Sequence, residues 1–174
     1  MRLSTIAMSA AHNMLTDAHT AVGQQPIVID GTYGVVYHGG ADKVEFNTGL
    51  LMYLSDYTSE ASAHVALSEE YRTWLDNNAA KYGFIESFED GYRYVGVAHA
   101  TFMKSKSMTL AQYISYLKSN SSHENPITIN AGGAKYQVYY EACGAGGEIK
   151  VPKDDYTISG TNEGGVIITA KVSK

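Results

Sequence analysis

The stretch 74–117 decides the fold, because it contains WLDNNAAKYGF (74–84), YRYVGVAHA (92–100) and MTLAQYISYL (108–117) in that order. Apolar residues at helical spacing after Ser68 predict a helix that ends at Gly83, where a glycine readily terminates the last turn. Two short strand-like pieces then flank a turn at 89–91, and a second helical pattern follows. The stretch therefore predicts a helix, a hairpin and a further helix.

The N-terminal part of the chain predicts one helix and two strands. Apolar residues recur at helical spacing over the first 22 positions and predict a helix that ends near Gly23. IVI (27–29) and LLMYLS (50–55) predict two buried strands, and 32–47 reads as a loop. These elements precede the helix and hairpin, so they complete a mixed α and β unit.

The C-terminal part changes from helical to alternating patterns. Thr109 and Gln112 form a capping-box pattern that opens the last helix. SNSSHENP (119–126) is polar, ends in proline and predicts a linker. From 127 onward, apolar and polar residues alternate between glycine-rich turns, which predicts about five short antiparallel strands, EIKVP (148–152) among them.

Composition bounds the class of protein. The chain has 174 residues, 44% of them hydrophobic, and a formal net charge of -5. A core of useful size can form, and no basic cluster along the sequence indicates a nucleic acid partner. Cys143 is the single cysteine, so no intramolecular disulfide is possible. The sequence has no apolar run that predicts a membrane span, and its first residues do not fit a signal peptide.

The predicted fold class is α+β. Residues 1–118 form a domain with a small antiparallel sheet flanked by helices, 119–126 form the linker, and 127–174 form a small all-β C-terminal domain. The expectation rests on the change from helical to alternating periodicity near residue 118.

The order of phrases over roughly 5–118 resembles the VanY-type zinc D-Ala-D-Ala carboxypeptidases, which trim peptidoglycan stem peptides. YRTWLDNNAAKYGFI (71–85) is similar to the family's Trp-Leu-x-x-Asn-Ala-x-x-Tyr-Gly-Phe helix, and YRYVG (92–96) to the end of its Glu-Pro-Trp-His-Phe-Arg-Tyr-Val-Gly strand. The opening helix AAHNMLTDAHTAVG (10–23) fits as well. The resemblance implies a DD-carboxypeptidase/hedgehog-like fold.

The same resemblance implies a zinc site whose residues differ here. Family members bind zinc through two His and one Asp, and a Glu acts as base. Alignment on the scaffold phrases places Phe46 and Gly91 at the two His positions, Tyr53 at the Asp position and Phe88 at the Glu position. The substrate-clamping Arg is replaced near Tyr33. The resemblance therefore implies a pseudoenzyme without zinc, with no catalytic residue and no other cofactor.

The substitutions suggest what the former cleft does. An aromatic cleft lined by Tyr33, Phe46, Tyr53 and Tyr92, with Arg93 nearby, could bind a peptidoglycan stem peptide or another cell-wall component without cleaving it. The alternative interpretation of the same residues is that large apolar side chains simply fill the emptied cleft. The protein would then be a structural or protein-interaction module.

A third hypothesis keeps an active enzyme. His38 and Glu45 have the seven-residue spacing of the family's His and Asp, so a rearranged zinc metallopeptidase site could use them with Asp42. By resemblance alone, we expect a bacterial, secreted protein in an extracellular or cell-envelope setting, with no nucleic acid partner and no membrane span.

Overall fold

A computed structural model describes residues 3–30, 48–57, 65–143, 148–153, 155–161 and 164–172. The chain divides into two compact units, Met1–Ala100 and Thr101–Lys174. Within these described ranges, each unit contains a four-stranded antiparallel sheet, and four α-helices accompany the two sheets. The α+β class predicted from the sequence is confirmed.

Helix α1 (Thr5–Val22) begins and ends where its sequence dictates. The side chain of Ser4 accepts a hydrogen bond from the backbone N–H of Ala7, which satisfies one of the open donors of the first turn. Gly23 adopts the left-handed conformation, and its N–H donates to the carbonyl of His19. The helix therefore stops at the predicted glycine.

The first sheet contains β1 (Ile27–Ile29), β2 (Leu51–Asp56), β3 (Phe84–Phe88) and β4 (Gly91–Tyr94). Its strand order is β1-β2-β4-β3, and every neighbouring pair is antiparallel. Helix α2 (Glu69–Asn78) precedes β3 and continues into a 3₁₀ turn (Ala79–Tyr82) before Gly83.

Helices α1 and α2 cover one face of the first sheet. Small and medium apolar side chains of α1 pack with Tyr71 and Leu75 of α2 against the strands, and these side chains are almost entirely buried. The strand residues that face this core are Ile27, Met52, Leu54, Phe84 and Tyr92. The opposite face of the sheet carries the candidate site described below.

The second unit carries helix α4 (Leu110–Asn120) and a separate sheet. Thr109 and Gln112 make both hydrogen bonds of the predicted capping box at the start of α4. The sheet contains β5 (Ile127–Ala131), β6 (Ala134–Ala142), β7 (Tyr156–Thr161) and β8 (Gly165–Val172), in the order β5-β6-β8-β7. Helix α3 (Val97–Lys106) spans the boundary between the two units.

Several details differ from the sequence-based expectations. The second sheet has four strands among the described residues, not five, because EIKVP (148–152) is not a strand. In this segment, the backbone carbonyl of Lys150 instead accepts a hydrogen bond from the hydroxyl of Tyr139. Helix α3 has no counterpart in the prediction. Asn120, placed in the predicted linker, ends helix α4.

The predicted domains 1–118 and 127–174, joined by the linker 119–126, stay a prediction beside the two compact units. The predicted boundary lies at residue 118, whereas the compact units divide between Ala100 and Thr101. Helix α4 packs against β6 within the second unit, so the unit that carries the second sheet is not all-β. None of the helices in the described ranges is long and apolar enough to cross a membrane.

Candidate functional site

The candidate site lies on the face of the first sheet that is opposite to the α1–α2 core. Residues directly opposite each other on antiparallel strands project to the same face, and alternate residues of one strand share a face. Leu51 pairs with Arg93, and Tyr53 pairs with Gly91. Ile85 of β3 also pairs with Arg93. These five residues define the surface that we call the site face.

Phe88 of β3 joins Tyr53 and Gly91 on the site face, and we call these three residues, which lie in a line across β2, β4 and β3, the aromatic row. Gly91 pairs with Tyr53 on one side and with Phe88 on the other. Because Gly91 has no side chain, the two aromatic rings reach each other across it. Their centroids are 6.1 Å apart and their planes differ by 25°, which is a stacked arrangement.

A register shift in β3 brings Phe88 into the aromatic row. Phe84, Ile85 and Glu86 pair in sequence with Tyr94, Arg93 and Tyr92. Continued without interruption, this register would place Ser87 opposite Gly91. The irregularity between Glu86 and Phe88 instead places Phe88 there. A bulge of this kind re-aims side chains next to a turn.

The Phe88 ring occupies the space that a side chain at Gly91 would need. A Cβ atom built on Gly91 would fall within the van der Waals envelope of the Phe88 ring, with three ring carbons as its nearest neighbours. Phe88 and a larger residue at position 91 therefore cannot coexist unless the ring moves. Tyr53 is only 4% exposed, so the row is also covered on its β2 side.

The turn after Phe88 is held by a buried ion pair. Asp90 has a positive φ of 60° and is 1% exposed. Its Oδ2 accepts from the Arg72 guanidinium at 2.9 Å and from the backbone N–H of Leu67 at 3.4 Å. Its own N–H donates to Glu86 Oε1. These contacts fix the two-residue turn and hence the position of the aromatic row.

The structure separates the residues assigned to an aromatic cleft. Tyr53 and Arg93 share the site face, as the cleft hypothesis requires. Tyr92 lies on the other face, in the α1–α2 core, because it pairs with Met52 rather than with Tyr53. Tyr33 and Phe46 lie outside the described residues, and so do His38, Asp42 and Glu45 of the rearranged metal site.

The placement of Tyr92 also sets its ionisation. Burial raises the pKa of the Tyr92 phenol well above its usual range, and the nearby carboxylates of Glu86 and Asp90 raise it further. Burial likewise raises the pKa of the Glu86 carboxyl. Tyr92 is thus a neutral core residue next to the turn, and Phe88 rather than Tyr92 lies beside Tyr53 on the site face. The signal that could have indicated Phe88 is its position directly before the turn.

Comparison with known proteins supports the resemblance. A D-alanyl-D-alanine carboxypeptidase of Enterococcus faecium is 36% identical over 110 residues, and the match covers 55% of this chain and 35% of that protein. The chain therefore spans about a third of this relative's length. No protein-family model matches the sequence.

The fold agrees with that relationship. The crystal structure of the vancomycin resistance D,D-dipeptidase VanXYg, in complex with a D-Ala-D-Ala phosphinate analog, superposes with a TM-score of 0.71. The alignment covers 94% of this chain and 80% of that chain at 20% identity, so it bears on the fold. The relative thus supports the D-Ala-D-Ala carboxypeptidase-like resemblance in sequence, and the solved structure shows the shared fold.

The aromatic row does not fit a zinc ion. It contains the positions that the resemblance assigns to the zinc-binding Asp (Tyr53), the second zinc-binding His (Gly91) and the general base (Phe88). The three positions are neighbours, but they offer a buried phenol, no side chain and a hydrocarbon ring in place of carboxylates and an imidazole. Among the described residues, no group of three or more His, Cys, Asp or Glu side chains could hold a metal.

Proposed function

We propose that this protein is a non-catalytic D-Ala-D-Ala carboxypeptidase-like protein of the bacterial cell envelope that binds peptidoglycan stem peptides without cleaving them. One observation supports the proposed loss of catalysis. The three positions that should hold the Asp, the His and the base are adjacent on the site face, yet none supplies the required group.

The adjacency of these three positions supports the alignment that assigned them to the Asp, the His and the base. An alignment displaced by one residue would have put these positions on opposite faces of the sheet. Tyr53, Gly91 and Phe88 instead lie in one line across three strands. This alignment in space supports the proposal that the three positions belong to a former active site whose chemistry has been replaced.

The proposed ligand class follows from the relatives and from one accessible charge. The curated relative is a D-alanyl-D-alanine carboxypeptidase, and the solved dipeptidase was crystallised with a D-Ala-D-Ala analog. Arg93 lies on the site face and is partly exposed, and a guanidinium suits the terminal carboxylate of such a peptide. Phe88 is also partly exposed and offers an apolar surface for a D-Ala methyl group.

Zinc content is the first test of the proposal. The purified protein is exposed to zinc, desalted and analysed by mass spectrometry, and a D-Ala-D-Ala pentapeptide is assayed for released D-Ala. We expect no stoichiometric zinc and no zinc-dependent release. Near-stoichiometric zinc with hydrolysis would overturn the proposal, and loss of both in His38→Ala would assign the rearranged metallopeptidase site instead.

Peptide binding is the second test. The pentapeptide ending in D-Ala-D-Ala and its L-Ala-L-Ala counterpart are titrated into the protein by calorimetry. We expect binding of the first only, weakened by Arg93→Gln and unchanged by the exposed Lys81→Gln. Loss of one charge-assisted hydrogen bond predicts roughly a tenfold weakening.

A structural or interaction module is the second candidate function. The burial of Tyr53 and the complete burial of Leu51 favour it, because this part of the site face is covered. No binding of either peptide, together with no zinc, would select the module and reject stem-peptide binding.

A further inference from the structure

A concave surface feature of the second unit lies at one end of its sheet. It is a cavity of about 1400 Å³ at the β5–β6 turn, the end of β8 and the segment before β7. Lys135, Lys153 and Lys171 line it, and Asp155 is the one acidic residue among the described lining residues. The cavity belongs to neither the aromatic row nor the site face, so it is a separate feature.

The three lysines come together although they are far apart in the sequence. Lys135 pairs with Val172 and Lys171 pairs with Tyr136, so the two lysines occupy neighbouring positions on β6 and β8 and project to opposite faces. Lys153 reaches the same cavity from the segment that leads into β7. The ammonium groups thus surround the end of the sheet.

These lysines differ from others in the unit. Lys150 is paired with Glu124, and the Lys118 ammonium lies 5.4 Å from the centre of the Tyr140 ring. Lys135, Lys153 and Lys171 are exposed, and they make no ion pair or side-chain hydrogen bond with any described residue. Their exposed ammonium groups can therefore contact a ligand in the cavity.

The backbone at the cavity is also accessible. Gly132 and Gly133 form the β5–β6 turn with φ angles of 56° and 74°, a conformation typical of a tight two-residue hairpin. A Cβ atom at Gly133 would meet nothing within 4 Å. A ligand can thus approach the main chain between the lysines, and backbone N–H groups are common partners of anions.

Charge is distributed unequally between the two units. Residues 1–100 contain five Arg and Lys against twelve Asp and Glu, a formal net charge of -7, whereas 101–174 contain eight Lys against six Asp and Glu, a net charge of +2. The overall charge of -5 conceals this asymmetry. The formal net charge therefore favours an anionic ligand at the second unit and not at the first.

We propose that the lysine-lined cavity binds a linear polyanion with repeated phosphodiester groups and no nucleobases, such as a polyol phosphate of the cell wall. Its volume exceeds the roughly 300–1000 Å³ usual for small ligands, which suits a stretch of polymer. Lysine binds phosphate as a point charge, so three lysines suit successive phosphates.

Two other polyanions fit the cavity less well. Single-stranded nucleic acid binds on aromatic rings and arginines that stack on its bases, and the described lining residues include neither. A membrane surface is contacted by an amphipathic helix or one exposed basic face, whereas Lys135 and Lys171 project to opposite faces of the sheet. The lysine charges can bind a flexible polyanion without bases, because such a ligand needs no stacking surface.

Binding to an end-labelled poly(glycerol phosphate) oligomer tests the proposal by fluorescence anisotropy on the full chain. The test variant is Lys135→Gln/Lys153→Gln/Lys171→Gln. The matched control, Lys81→Gln/Lys104→Gln/Lys106→Gln, removes the same charge from exposed positions elsewhere. We expect the test variant to lose at least about tenfold in affinity, and the control about twofold or less.

The salt dependence and the competitors complete the test. For about three phosphate contacts, the logarithm of the affinity should fall with the logarithm of salt with a slope of about -2. No binding at low salt, or equal losses in both variants, would overturn the proposal. Equal affinity for polygalacturonate, a polyanion without phosphate, would overturn the assignment of a phosphodiester. Equal affinity for single-stranded DNA would overturn the assignment of a ligand without bases. Stem-peptide binding should be unchanged in the test variant, so this proposal and the proposed function can fail separately.

Discussion

The ring of Phe88 fills the space into which a side chain at Gly91 would extend. The two residues pair directly across β3 and β4, and the ring stacks on Tyr53 beyond the glycine. The missing side chain at Gly91 and the ring of Phe88 are therefore complementary, because the ring occupies the space that the glycine leaves open. The following predictions begin from this relationship.

Gly91→His should destabilise the protein by roughly 2 kcal/mol, because a buried imidazole displaces the Phe88 ring and breaks its stacking with Tyr53. Urea unfolding measures the loss. Phe88→Ala should destabilise as well, because the ring leaves a cavity beside Tyr53.

The double variant Gly91→His/Phe88→Ala tests whether the two positions are coupled. It should be more stable than the sum of the single effects predicts, by about 1 kcal/mol, since the imidazole can enter the vacated space. Strict additivity would show that the two side chains do not compete for one volume.

Arg72 contacts two carboxylates that should differ in importance. The side chain of Asp90 is 2% exposed and that of Glu89 is 78% exposed. Asp90→Asn keeps the size and tolerates the positive φ, yet it removes the buried charge opposite Arg72. We expect a loss of roughly 3 kcal/mol for Asp90→Asn and less than about 0.5 kcal/mol for Glu89→Gln.

Thermal or urea unfolding of the two variants gives this comparison directly. Similar losses in both would mean that the turn does not depend on the buried ion pair. Because the turn positions Phe88, Asp90→Asn should also change the near-ultraviolet signal of the aromatic row.

Stability should depend on pH through His99. Burial lowers the pKa of His99 to about 4 from 6.5. Between these values the unfolded chain binds a proton that the folded chain excludes, so stability is full above pH 6.5 and falls as the pH drops towards 4. From pH 7 to about pH 5, His99 alone should account for a loss of roughly 2 kcal/mol.

The matched variant His99→Gln isolates this contribution, because the carboxylates titrate in both proteins. The wild type should lose stability more steeply than the variant on acidification, as measured by urea unfolding at several pH values. Parallel curves would contradict a buried neutral imidazole.

Thr109→Ala should remove the cap of helix α4. The Thr109 hydroxyl accepts from the Gln112 N–H, and the Gln112 side chain accepts from the Thr109 N–H. A loss of about 1 kcal/mol is expected for such a cap. The same change at the exposed Ser119, at the other end of the helix, should cost much less and serves as the control.

The sequence predicted those elements whose causes are local. The glycine stop of α1 and the capping box of α4 depend on residues within one turn of the helix end, so both are readable from the chain. Helix α3 was missed because its polar and apolar residues show almost no amphipathic separation.

The site was only partly predictable, since it depends on register. Period-two alternation places Phe88 on the same face as Phe84 and Glu86, and only the irregularity before Phe88 moves its ring to the site face. The lysine-lined cavity was missed for a related reason. Lys135, Lys153 and Lys171 form no cluster along the chain; strand pairing brings the first and third together, and the segment before β7 adds Lys153.

The register shift in β3 has a consequence for the ancestry of this protein. A point mutation can restore a side chain, but it does not restore the pairing that decides which side chain faces Gly91. Histidine at 91 is obstructed while Phe88 remains, and removing Phe88 first exposes a gap beside Tyr53. If the protein is non-catalytic as proposed, each single step that restores the aligned zinc-binding residues thus crosses a less stable intermediate. Under that proposal, the aromatic row is a barrier to regaining catalysis, and a new binding role is reached by fewer destabilising substitutions than the former activity.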